Sequence, residues 1–238
     1  MTPLERRYRR LLRVLPADYR ADREEEMVAT LLDDRTDELD REHGWPGWGE
    51  FAATVALSVR VRFAAGTRIG GVARTVALVG LLGQVVLAAQ SLTVASLVEG
   101  ARPLPWFDIA AVVAFAALVT GRRTTARVAA TLGAAVSLVP VVTALVRAEP
   151  GWLAVVFAVP SLITAVAMHV GHHREAPLPE PVRWWWAAAT AVVLAVAATV
   201  PDPGAAWQFP AAWLLTLVAV AVVRPRVTLS PVPGSPTR

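Results

Sequence analysis

Apolar and charged positions divide this chain in two. From Met1 to Glu50 isolated apolar residues recur at helical spacing within a dense field of charge, whereas after Arg74 nearly everything is an apolar stretch with arginines gathered at alternate ends. Leu4, Tyr8, Leu11, Leu12 and Leu15 fall on one face of a first predicted helix, which Thr2 caps and Pro3 opens, and Pro16 ends it. Arg6, Arg7, Arg9, Arg10 and Arg13 take the other face. A second helix is predicted from about Ala17 to Leu39, with Tyr19, Met27, Val28, Leu31 and Leu32 as its apolar stripe and Glu24, Glu25 and Glu26 on the wet side. The charges of the two helices are opposite, which favours an antiparallel pair.

The turn-rich stretch from His43 to Trp48 precedes a third predicted helix, on which Trp48, Phe51, Ala52, Val55 and Val59 share a side and Arg60 and Arg62 follow, with Arg68 beyond. This segment either closes a three-helix head or lies in the lipid headgroup plane as an arginine-anchored amphipathic helix. With closure, residues 1–65 form a small helical module whose core includes Leu11, Leu12, Tyr19, Met27, Leu31, Trp48 and Phe51.

Six apolar runs follow, at 76–98, 104–120, 129–146, 152–170, 184–200 and 207–223, and each is long enough for a hydrocarbon core of roughly 30 Å. Arg74, Arg122, Arg123, Arg127, Arg174, Arg183, Arg224 and Arg226 mark one set of ends, while the opposite loops hold Arg102 and Arg147 beside acids. The positive-inside bias then puts both termini in the cytoplasm of a multi-pass protein of the cell membrane. Short connections imply hairpins, and no internal repeat relates them. The predicted fold is all-α: the head, a six-helix transmembrane domain over 66–227, and a Pro- and Ser-rich disordered tail over 228–238.

Composition agrees, with 55% hydrophobic residues and a mean hydropathy of +0.49. Residues 1–50 hold nine arginines against thirteen acids and the remainder fourteen against six, so the net +4 conceals an acidic head and a basic membrane domain. The high isoelectric point therefore reflects membrane-flanking arginines, and direct nucleic-acid binding is not expected. Cysteine and lysine are both absent, which excludes thiolate chemistry, Schiff bases and a P-loop lysine. No apolar segment of signal-peptide length occurs in the first forty residues, so no cleaved signal is expected.

Candidate chemistry is sparse. Gln84 and Gln90, Thr131 and Ser137, and Ser161 and Thr164 are read as packing groups beside small residues such as Gly80, Gly83 and Gly133. Asp108 is read as interfacial, leaving no ionisable relay at the midplane. Pro140, Pro160 and Pro210 are read as kinks without a site. His169, His172 and His173 have the spacing of a convergent set but are read as an interfacial cluster. No metal, cofactor or catalytic residue is predicted, and no enzyme is expected. Arg9, Arg10, Glu25 and Glu26 are the candidate partner-docking residues, because exposed charge governs partner choice.

The run Tyr8-Arg9-Arg10-Leu11-Leu12-Arg13-Val14-Leu15-Pro16-Ala17-Asp18-Tyr19-Arg20, with Glu25-Glu26-Met27 and Leu31-Leu32-Asp33 after it, resembles the N-terminal helical module of actinobacterial membrane proteins, the HAAS-type signalling domain and the related permease prefix domain. The resemblance covers about forty residues. It implies a cytoplasmic PadR-like transcriptional regulator as partner, with the spans, held in membrane lipid, serving as anchor or sensor. The alternative is a small permease-type transport subunit working with a separate ATPase.

Overall fold

The computed structural model describes residues 2–33, 47–63, 67–100, 105–148, 150–172, 178–203 and 207–225, and among these it is helical with no strand. The chain divides into two compact units, Met1–Ile69 and Gly70–Arg238.

In the first unit α1 spans Pro3–Leu12 and α2 Ala17–Asp33. Thr2 and Glu5 form a reciprocal capping box at the start of α1: the Glu5 amide donates to Thr2 Oγ1 at 3.2 Å and the Thr2 amide donates to Glu5 Oε2 at 3.3 Å. The predicted stripe of α1 is the core. Leu4, Tyr8 and Leu11 pack with Leu31 and Leu32, while Leu12, Leu15 and Val28 pack with Tyr19, Met27 and Leu57. Residues 34–46, where the end of the second helix and most of the following turn were expected, lie outside the described residues.

The third helix, α3, spans Trp48–Arg62 and joins this unit by the face opposite to the one its apolar pattern suggests. Trp48 is 87% exposed and Phe51 44%, so neither belongs to the core as expected. Thr54 and Ser58 are buried in their place. Hydrogen bonding explains the inversion. Ser58 Oγ donates to the Val14 carbonyl at 2.7 Å and Arg62 Nη2 donates to the same oxygen at 3.1 Å, satisfying a carbonyl in the turn beyond α1 that has no helical partner. Tyr8 Oη donates to Glu50 at 2.9 Å, and Glu50 also accepts from the Gly47 amide at 3.0 Å. One polar edge thus fixes α3, and Trp48, Phe51 and Val59 are left outward.

The second unit contains α4 (Arg68–Leu97) from Gly70 onward, α5 (Pro105–Val119), α6 (Arg123–Val146), α7 (Trp152–Gly171), α8 (Pro181–Thr199) and α9 (Gln208–Val223). Four of them, α4, α6, α7 and α8, are long and apolar enough to cross a membrane. The other two expected spans are helical but short: at 1.5 Å per residue, the 15 residues of α5 and 16 of α9 reach roughly 22–24 Å. Helix starts also differ from the apolar runs. The first expected span begins at Arg68 rather than 76, the third at Arg123 rather than 129 and the fifth at Pro181 rather than 184, because the helical backbone continues through polar residues that a hydropathy pattern trims away.

Gly121 makes the α5–α6 hairpin. At φ +84° it lets its own amide donate to Leu118 O at 3.0 Å and that of Arg122 donate to Ala117 O at 2.7 Å, which closes the end of α5 in a Schellman turn. Neighbours pack accordingly, α5 on α6, α6 on α7 and α8 on α9. Helix α4 is the centre of this unit, with Leu78, Leu81, Leu82 and Val86 fully buried. Alanines form the seams around it, Ala126, Ala129 and Ala130 on α6 and Ala187, Ala188, Ala191 and Ala195 on α8, and small residues of this kind let helix backbones approach closely. Large apolar side chains such as Leu132, Leu145, Val166 and Val193 point outward, as a surface solvated by lipid requires.

Candidate functional site

Two of the four candidate docking residues turn out to be partners of each other. Arg9, on α1, donates to Glu25 on α2 through Nη1 at 2.6 Å and Nη2 at 2.9 Å, a two-pronged bond. The same guanidinium reaches Glu5 at 3.1 Å and Glu24 at 3.5 Å. The Glu25 hydrogen bond is the main cause that pushes the Arg9 pKa up, and Arg9 in turn holds the Glu25 carboxyl below its ordinary range. Arg9 therefore ties α1 to α2. Arg10 and Glu26 are different: both are exposed and neither forms an ion pair among the described residues. Charge open to a partner on this unit thus includes Arg10 and Glu26, while Arg9 and Glu25 are engaged internally.

The outward face of α3 adds a feature that the sequence reading had assigned to the core. Trp48 and Phe51 meet edge to face with ring centroids 6.1 Å apart, both exposed, in the same turn as the half-buried Glu50. Exposed aromatic residues held on a rigid helix are the residue types that dominate binding energy at protein interfaces. The signal for this was present in the sequence as Thr54 and Ser58 at i, i+4, a second and polar stripe.

Inside the second unit several threonine hydroxyls are spent locally. The hydroxyls of Thr131, Thr143, Thr164, Thr199 and Thr216 each donate to the carbonyl four residues earlier on their own helix, at 2.7–2.8 Å. Gly80 faces Thr164 and Gly83 faces Trp213 so closely that a Cβ at either would collide, which is close packing of the kind expected there. Pro210 lies in the first turn of α9, where no interior hydrogen bond is lost. Two apolar grooves open on the surface, one of about 730 Å³ between α4, α7 and α9 with Phe209 and Trp213 in its wall, the other of about 490 Å³ beside Asp108. Their linings suit hydrocarbon.

Of the histidines, His169 and His172 have different surroundings. His169 is exposed and its Nδ1 lies 3.1 Å from the Ala165 carbonyl of its own helix, whereas His172 is fully buried at the end of α7. His173 lies outside the described residues, and among those described no three metal-ligating side chains converge. Gly171 accounts for the burial of His172: a Cβ there would stand 2.9 Å from the Arg74 amide nitrogen and 3.0 Å from the Ala73 carbonyl carbon, so only glycine lets α7 close onto α4. Around the imidazole stand Arg74, itself fully buried, and the half-buried Arg123 and Arg127, and Arg127 Nη2 donates to the His172 carbonyl. Burial and then the three positive charges push the His172 pKa down to about 4.

Comparison with protein-family models, with curated proteins and with solved structures finds no match for this chain.

Proposed function

We propose that the protein is a non-enzymatic, six-span membrane protein whose N-terminal head docks a soluble partner in the cytoplasm, the spans acting as anchor or sensor. The observation that carries this reading is the inverted third helix, which buries Thr54 and Ser58 and leaves the Trp48–Phe51 pair in the open. A helix that turns its largest aromatic residue 87% outward has a surface suited to an occupant. Arg10 and Glu26 supply exposed charge of both signs for selecting it. The resemblance of the first forty residues to HAAS-type modules supports a PadR-like regulator as that occupant.

The second unit supports anchoring. Five of its threonine hydroxyls bond within their own helices and its grooves are lined almost wholly by apolar side chains, which suits a lipid anchor better than a path for a polar solute. The competing reading, a small permease subunit served by a separate ATPase, makes a different demand on the same head. Affinity capture with the full chain in lipid nanodiscs distinguishes them: the docking reading expects a helix-turn-helix regulator to be retained, and Trp48→Ala with Phe51→Ala to release it while membrane insertion is unchanged. Retention of a nucleotide-binding subunit with ATP-dependent solute movement would favour the permease reading.

A further inference from the structure

Two hydrogen bonds within the first unit gather one edge of the head. Arg62 Nη2 donates to the Val14 carbonyl at 3.1 Å, and Thr67 Oγ1 donates to the Arg62 carbonyl at 2.8 Å. The turn after α1, the end of α3 and the start of α4 therefore meet. Arg13, Arg60, Arg62 and Arg68 stand exposed on these three segments, and none of them forms an ion pair among the described residues. Asp18, in the first turn of α2, is the acid nearest in the chain to this turn, so the edge keeps a positive excess. Apolar side chains share it: Val14 is 36% exposed and Ile69 56%. Arginines set among exposed apolar side chains suit phosphate-bearing headgroups over hydrocarbon.

We propose that this edge rests on the headgroups of anionic phospholipid and holds the head to the membrane surface. On the reading of a cytoplasmic head given above, on which this contact depends, that surface is the inner leaflet, whose negative potential attracts arginines within about a Debye length. The chain itself supplies the reach. Arg68 is the first residue of α4, a helix long and apolar enough to cross the bilayer, so the edge lies where the chain enters lipid. A nucleic acid would offer phosphates to the arginines but nothing to Val14 and Ile69. Trp48 stands at the opposite end of the 15-residue α3, about 21 Å along its axis, so lipid contact at this edge leaves the aromatic pair open to a soluble partner.

The test uses the full chain in nanodiscs of phosphatidylcholine, with and without phosphatidylglycerol. The sequence has no cysteine, so Val14→Cys carries a single fluorophore, which a nitroxide on the lipid headgroups quenches where the edge touches the membrane. Quenching should be strong with phosphatidylglycerol, weak in phosphatidylcholine alone, and reduced by high salt. The same label at Thr30→Cys, toward the far end of α2, should stay bright in both lipids. Arg13→Gln with Arg68→Gln should lower the ratio of quenched to unquenched head about fivefold for each arginine removed. Arg13→Lys with Arg68→Lys keeps both charges and should restore the ratio, which a purely structural role of the guanidinium groups would not allow. If Val14→Cys disturbs the turn, Ala17→Cys, exposed at the start of α2, takes the label. Partner capture by the same nanodiscs is scored separately: loss of quenching with capture intact removes the lipid contact alone, and loss of capture with quenching intact removes the docking reading alone. Equal quenching in the two lipids, no change in the Gln variant, or a DNA duplex that shifts the label's emission where phosphatidylglycerol does not, would overturn the proposal.

Discussion

The hydroxyl of Ser58 donates to the carbonyl of Val14 across 44 positions of chain, at 2.7 Å, and this bond turns α3 so that its aromatic residues face outward. Ser58→Ala removes one of two donors to that oxygen, so the head should lose about 1 kcal/mol. Ser58→Ala with Arg62→Ala leaves the carbonyl with neither and should cost more than the single changes added together. Hydrogen exchange of the α3 amides in the full chain measures both; equal protection in wild type and double variant would mean the bonds do not hold α3.

Leu12 is fully buried between α1, α2 and α3, and Leu12→Ala should destabilise the head by about 2–5 kcal/mol. For so small a unit that is comparable with its entire stability. Limited proteolysis should then cut within residues 1–62 while the second unit keeps its melting transition. Wild-type resistance to protease in the variant would remove Leu12 from the core.

Glu25 titrates below the ordinary carboxylate range because Arg9 stabilises its charged form. A depressed folded-state pKa means that the contribution is present above the unfolded value and is lost as pH falls through the folded one. Exchange in α1 and α2 should rise on acidification below the normal glutamate pKa. Glu25→Gln should flatten that acid limb, and an unchanged pH profile in the variant would assign it to another group.

His172 has the opposite chemistry and the same sign. Its folded pKa of about 4 lies below the ordinary histidine value of 6.5, so the unfolded chain binds the extra proton first. Stability of the second unit should be full above pH 6.5 and should decline between 6.5 and 4. His172→Gln should lessen that decline, as read by melting in micelles from pH 7.5 to 4.5. Gly171→Ala should act independently of pH, lowering the same transition by about 1–3 kcal/mol through its clash with the Arg74 backbone.

Six spans with both ends inside require reporter fusions after Gly100, Gly121, Gly151, Pro179 and Gly204 to alternate in signal. The four long helices alone would give a shorter pattern. Equal signals after Gly100 and Gly121 would remove α5 as a span, and equal signals after Gly204 and Val223 would remove α9.

Much of this was legible in the residue pattern. The stripe from Leu4 to Leu15, the hairpin between α5 and α6 and the helical character of all six apolar runs follow from periodicity and short connections, which are local properties, although the first helix ends at Leu12, ahead of the expected break at Pro16. Trp48 and Phe51 were misplaced because a hydrophobic stripe was assumed to face the core, when two hydroxyls and an open carbonyl decided the orientation instead. The Arg9–Glu25 pair and the His172 group were illegible for another reason. Each joins residues from separate helices, and nothing in the spacing of one helix says which charge on the next will meet it.

The double bond onto the Val14 carbonyl also has a mechanical meaning. Ser58 and Arg62 lie in the last two turns of α3, and the chain leaves α3 only a few residues before α4 begins. Both donors meet one oxygen in the turn that follows α1, so the placement of the end of α3 and the shape of that turn are set together.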